Sequence, residues 1–172
     1  MKLSFAASSA QTLVNKDYLA LTRYVLLRAR ERVWAQQFVT DARPSKDVEG
    51  HVRYLLHGFA EARARGVDVR ILLAPIYPDL GPRYDVNEPV ARFLAARGVP
   101  VRRHVGSLGR PRLHVKTILV DEELAIVGNA NWTPNALGGE NHERSLAVRS
   151  PDLVTTLAAR FEQAWSRGAD VR

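Results

Sequence analysis

The stretch 113–132 reads "LHVKTILVDEELAIVGNANW", and its pattern decides how the rest of the chain is read. "LHVKTILV" is rich in β-branched and aliphatic residues, the composition of a strand. "DEE" (121–123) reads as a tight turn and "LAIVG" (124–128) as a returning strand, so the two runs make a hairpin. Side chains alternate faces along a strand, which puts His114 and Lys116 on one side, roughly 7 Å apart. Asp121 has the other parity and points away, as a structural turn residue does. Gly128 allows the backbone to come close to a ligand, and Asn129 and Asn131 bring amides to the same edge.

Outward from this hairpin the chain alternates between two periods. In 17–32, Tyr18, Leu21, Val25, Leu26 and Ala29 recur at helical spacing. "RVWAQQFVT" (32–40) reads as a buried strand and "DARPSKD" (41–47) as a loop. A second amphipathic helix over 48–65 stops at Gly66, and "VDVRILLA" (67–74) is the next strand. The segment 75–89 is dense in proline and glycine and long for a connection, which marks a functional loop. A helix around Val90, Phe93 and Leu94 ends at Gly98, before a strand over 99–105 and a loop over 106–112. Downstream of the hairpin, 142–150 is a strand and 150–167 a helix, with Ser150 or Asp152 as its N-cap and Gly168 past its end. "ARGVDVR" (64–70), "ARGVPVR" (96–102) and, more weakly, "SRGADVR" (166–172) repeat the same helix-to-strand punctuation. The expectation is one α/β domain over 1–172, a mixed β-sheet flanked by helices.

Composition narrows the function. A chain of 172 residues with net charge +7 favours an anionic partner, whether nucleic acid, phospholipid head group or acidic protein. The absence of cysteine rules out disulfides and thiolate zinc sites. No apolar run reaches the roughly 18 residues that a membrane span needs, so no stable membrane association is expected. "MKLSFAASSAQ" is too short for a signal peptide, which makes a cytoplasmic location the default.

The edge built by the opening stretch offers an imidazole, an ammonium and amide donors. Histidine is a competent nucleophile or acid/base near neutral pH. Lysine neutralises a phosphate oxygen and asparagine donates to one. No second histidine or carboxylate stands at metal-ligand spacing, so the expected chemistry uses no metal and no cofactor. The spacing His114-x-Lys116, four residues, Asp121, six residues, then "GNAN" (128–131) resembles the phospholipase D superfamily signature H-x-K-x4-D-x6-G-S-x-N. "NHE" (141–143) supplies the N-x-E element that often follows it. Asn129 departs from the usual serine, though its amide also hydrogen-bonds phosphate.

The resemblance implies a phosphodiesterase. His114 would attack phosphorus to form a phosphohistidine, Lys116 and Asn131 would bind phosphoryl oxygens with help from Asn129, and Glu143 would orient a histidine. It also implies a shared site. The family reaction uses two histidines, yet "HVRYLLHGF" (51–59) lacks the lysine and aspartate of a second motif. Single-motif members are twofold homodimers, which bring one patch against itself. From 101 to 120 there is no acidic residue, while Arg102, Arg103, Arg110, Arg112 and Lys116 form a basic stripe suited to a phosphate backbone. Arg110 and Arg112 are the stripe's candidate substrate contacts. Trp132 is placed in the core behind the site, with base stacking as its other use. The favoured function is a nucleic-acid phosphodiesterase, most simply an endonuclease. The alternatives are a phospholipase D or phosphatidyl transferase, and a non-catalytic nucleic-acid-binding domain.

Overall fold

The computed structural model describes residues 9–75, 85–105 and 113–171. They form an eight-stranded mixed sheet in the order β1-β7-β6-β5-β2-β3-β4-β8. The strands are β1 (Ser9–Val14), β2 (Arg32–Gln37), β3 (Asp68–Leu73), β4 (Val101–Arg103), β5 (Thr117–Val120), β6 (Leu124–Gly128), β7 (Arg144–Arg149) and β8 (Ala169–Asp170). The helices are α1 (Asp17–Arg28), α2 (His51–Ala64), α3 (Glu88–Ala95), α4 (Pro134–Gly138) and α5 (Pro151–Ser166). β2, β3 and β4 run parallel, linked by α2 and α3, and every other pairing is antiparallel.

Two apolar layers hold the sheet. One face packs Leu21, Leu26, Leu55, Phe59, Leu94 and Trp132, from α1 to α3 and the segment before α4, against Val33, Ile71, Ile118 and Ile126. The other carries α5, the one helix on it among the described residues, through Val154, Ala158, Phe161 and Trp165, onto Trp34, Leu72 and Leu119. β5 lies under both layers and all four of its residues are buried, so Ile118, Leu119 and Val120 follow Thr117 with no apolar–polar alternation. Burying the larger of these side chains stabilises the fold by about 1.5–3 kcal/mol each.

Local chemistry sets the element ends. Ser150 Oγ accepts from Leu153 N and caps α5, with Pro151 in the first turn. α2 begins three residues later than its periodicity suggests. Asp47, fully buried, accepts from Val52 N at 3.1 Å and Arg53 N at 2.9 Å and so fixes the first turn. The near-repeat glycines Gly66 and Gly98 have φ of 91° and 73°, a left-handed stop that glycine adopts without strain. The third copy works differently. A Cβ on Gly168 would come within 3.0 Å of Arg102 Cβ, so this glycine lets the chain close in as β8 on β4.

Three elements differ from the sequence reading. β1 and the two-residue β8 are edge strands at opposite sides of the sheet, and α4 is a helix of five residues. The strand expected over 99–105 pairs only at Val101–Arg103. Most of the proline-rich loop expected over 75–89 lies outside the described residues, as do the first eight residues and 106–112. No helix among the described residues is long and apolar enough to cross a membrane.

Candidate active site

The β5–β6 hairpin carries the candidate residues to one end of the sheet. The expected strand over 113–120 is regular only from Thr117. Gly128 N still donates to Lys116 O at 3.3 Å, so pairing reaches one residue further back. His114 is exposed, while Lys116 is only 7% exposed. The lysine stem brings the two heads much closer than their backbone spacing. Lys116 Nζ donates to His114 O at 2.9 Å and stands 3.3 Å from each ring nitrogen. Burial lowers the Lys116 pKa below the usual lysine range, and the Glu143 carboxylate opposes that shift. A cation so poorly solvated, beside an exposed imidazole, is a strong attractor for an anionic oxygen.

One contact partner was not visible in the motif. The half-buried ring of Phe38, one residue past β2, has its centroid 4.5 Å from that of His114 and 4.9 Å from Lys116 Nζ. Its signal in the sequence is the polar residue before it. Gln37 is fully buried in a core strand, donates to Ala130 O at 3.2 Å and accepts from Phe38 N at 2.8 Å. It thereby ties β2 to the asparagine segment.

That segment docks along the end of β2. Trp132 N donates to Val39 O at 3.0 Å and Asp41 N to Trp132 O at 2.9 Å. Asn131 Oδ1 accepts from Val39 N at 3.4 Å, and its amide nitrogen has no partner among the described residues. Asn129 turns the other way. Its Oδ1 accepts from Arg144 N at 2.9 Å, so the residue that replaces the usual serine clips β7 to the site. Gly128 also has a reason within the fold itself. An added Cβ would fall 2.5 Å from Ser145 Cβ and 2.7 Å from Ser145 Cα. What comes close to its backbone is the facing strand β7. Trp132 is fully buried and donates to Tyr18 Oη at 3.0 Å, a core position closed to base stacking. Burial pushes the Tyr18 phenol up to about 12, which keeps it protonated.

Glu143 lies just before β7 and is 8% exposed. Asn15 Oδ1 accepts from its N–H at 3.1 Å, and Asn141 Nδ2 donates to its carboxylate at 3.2 Å. Among the described residues no hydrogen bond joins it to His114, and its electrostatic influence falls on Lys116. Asp121 stands at the far end of β5 with φ of 51°, a region aspartate tolerates better than most residues. Its carboxylate accepts from Arg30 N, Glu31 N and Arg32 N at 2.8–3.2 Å, tying the hairpin turn to the α1–β2 connection. Asp121→Ala should therefore cost roughly 2–4 kcal/mol of stability, since three donors lose a charged acceptor. Urea unfolding checks this, and the folded fraction should keep its turnover.

The basic stripe is not free along its length. Arg102 Nε donates to Asp170 at 2.8 Å and its guanidinium also bonds Trp165 O at 3.0 Å. Arg103 is held by Asp85 and Glu88. These acids come from beyond 101–120, so the local charge count overstated the cationic surface. Arg110 and Arg112 lie outside the described residues. Among the described residues no three His, Asp or Glu side chains are grouped as a metal site would require.

Residues 24–165 match the family described as cardiolipin synthase, PLD-like domain. The chain belongs to that family and hence to the phospholipase D superfamily. Of the solved structures, Nuc from Salmonella typhimurium, a phospholipase D family member, superposes with a TM-score of 0.77 at 21% identity, over 96% of this chain and 99% of that one. NucT from Helicobacter pylori gives 0.71 at 16% identity, over 95% and 99%. Among curated relatives, cardiolipin synthase A of Escherichia coli O157:H7 is 36% identical over 105 residues, 61% of this chain and 20% of that protein. The chain spans only a fifth to a quarter of the length of the curated relatives it matches.

Proposed function

We propose that the chain is a phosphodiesterase that cleaves nucleic acid, an endonuclease working as a twofold homodimer without a metal. The observation that carries this is the exposed His114 imidazole set against the buried Lys116 ammonium at 3.3 Å. In this reading a ring nitrogen of His114 attacks phosphorus. A P–N bond forms and the P–O bond to the leaving group breaks, with the departing oxygen taking a proton from a general acid. Water then attacks the phosphohistidine, giving its proton to the group that acted as general acid, the P–N bond breaks, and the free imidazole returns. Lys116 and the Asn131 amide nitrogen, which has no partner among the described residues, offset charge building on the phosphoryl oxygens.

Two features support a shared site. The chain has one motif, and within one copy the His114 ring has no carboxylate partner among the described residues. His114 of the partner subunit then supplies the general acid. Mixing wild-type and His114→Ala subunits under exchange tests this: activity should follow the square of the wild-type fraction, and a straight line would exclude the shared site.

The net charge of +7 supports a polyanionic substrate, as does the end-to-end match with Nuc and NucT. The relationship to cardiolipin synthase A favours a second reading, transfer or hydrolysis at phospholipid head groups. Plasmid, single-stranded DNA, RNA and phosphatidylcholine vesicles incubated in parallel with excess EDTA separate the two. Nucleic acid should be cut and the lipid left intact. Lipid turnover without nucleic-acid cleavage would select the second reading, and activity restored by magnesium would overturn metal independence.

A further inference from the structure

We propose that Phe38 is a positioning residue of the reaction, the platform on which His114 and Lys116 are mounted. The proposal rests on the phosphodiesterase reading and adds to it a residue outside the motif. An exposed histidine outside regular secondary structure has several open rotamers. Among the described residues the His114 ring has a polar contact with the Lys116 ammonium at 3.3 Å and an aromatic contact with the Phe38 ring at 4.5 Å between centroids. The tilt of 52° between the two rings is a packed aromatic contact. The same ring lies 4.9 Å from Lys116 Nζ, within cation–π reach, where desolvation strengthens the attraction. One aromatic ring thus restrains both the nucleophile and its cation.

A platform has to be fixed itself, and Phe38 is held at both backbone ends. Gln37 Oε1 accepts from Phe38 N at 2.8 Å. Phe38 O accepts from Asn87 Nδ2 at 2.8 Å. Asn87 is fully buried and fully used. Its other amide proton goes to Ala74 O at 2.7 Å, and its oxygen accepts from Thr40 N and Thr40 Oγ1. It therefore pins the ends of β2 and β3 together at the start of α3. Such spending of buried hydrogen bonds on one loop position fits the need to hold a reacting atom within a fraction of an ångström. The Phe38 ring has a second use during turnover. Forming the P–N bond leaves positive charge on the imidazole, and an aromatic neighbour favours that charge as it favours an ammonium.

The test uses Phe38→Leu and Phe38→Tyr in the whole chain, with two readouts. The first needs no substrate. His114 ring proton shifts should show an aromatic ring-current displacement in wild type and Phe38→Tyr, and should lose it in Phe38→Leu. The second is turnover of an activated aryl phosphodiester. Phe38→Leu should lower kcat by about tenfold with KM changed less than twofold, and Phe38→Tyr should restore it. A Phe38→Leu protein that keeps wild-type kcat overturns the proposal, as does a wild-type His114 without the displacement. Should Phe38→Leu fail to fold, the wild-type shift and Phe38→Tyr turnover decide alone. Failure of wild type to cleave the aryl diester would count against the phosphodiesterase reading, while the ring shift still decides whether Phe38 holds His114.

Discussion

Replacing His114 by alanine should lower turnover on any phosphodiester substrate by roughly 10⁴-fold or more, with the fold intact. The size follows from what is removed. A nucleophile that acts in concert with its neighbours takes most of the catalysis with it when deleted, because the remaining groups have nothing to assist. The intact fold follows from exposure: the His114 side chain is outside both core layers and supports no element end. Circular dichroism and melting should match wild type while cleavage disappears. A His114→Ala protein with near-normal rates would mean that the imidazole is not the nucleophile.

Lys116→Met should lower turnover by roughly 10²–10³-fold, the usual cost of removing a preorganised charge-stabilising group, and should raise thermal stability near neutral pH. The two effects share a cause. Burial depresses the Lys116 pKa in the folded chain, with Glu143 as a partial counterweight. The unfolded chain therefore holds that proton more tightly, and the lysine costs stability at neutral pH. The cost fades as pH rises through the depressed folded value towards the usual lysine value. Methionine keeps the stem and removes the charge, so its stabilising effect should be largest at neutral pH and vanish in alkali. Activity of the wild type should fall on the alkaline side at a pH below the usual lysine range. An unchanged melting point together with an unchanged alkaline limb would refute this reading of Lys116.

Much of this was legible in the chain because the relevant signals are local. The hairpin over 113–132, the glycine stops at Gly66 and Gly98, the Ser150 cap and the outward parity of Asp121 all depend on neighbours in sequence. What was missed depends on contacts made by folding. Phe38 meets His114 only because β2 pairs antiparallel with β5 and places their site-end residues together. Arg103 reads as free cation in a stripe without acids, yet Asp85 and Glu88 close on it from the segment leading into α3. Gly128 suits a ligand on motif grounds, while the register places Ser145 against it. β8 is too short to carry a periodicity and exists because β4 offers it an open edge.

The central claim is that His114 becomes covalently phosphorylated during turnover. Quench of the enzyme in alkaline denaturant on a slow aryl or nucleotidyl phosphodiester, followed by peptide mass analysis kept at basic pH, tests it most directly. A peptide is expected in which His114 carries the phosphoryl group with the substrate's remaining ester, alkali-stable as a phosphoramidate is, and absent from His114→Ala. Rapid turnover with no adduct on His114 at any quench time, or an adduct on another residue, would contradict the account.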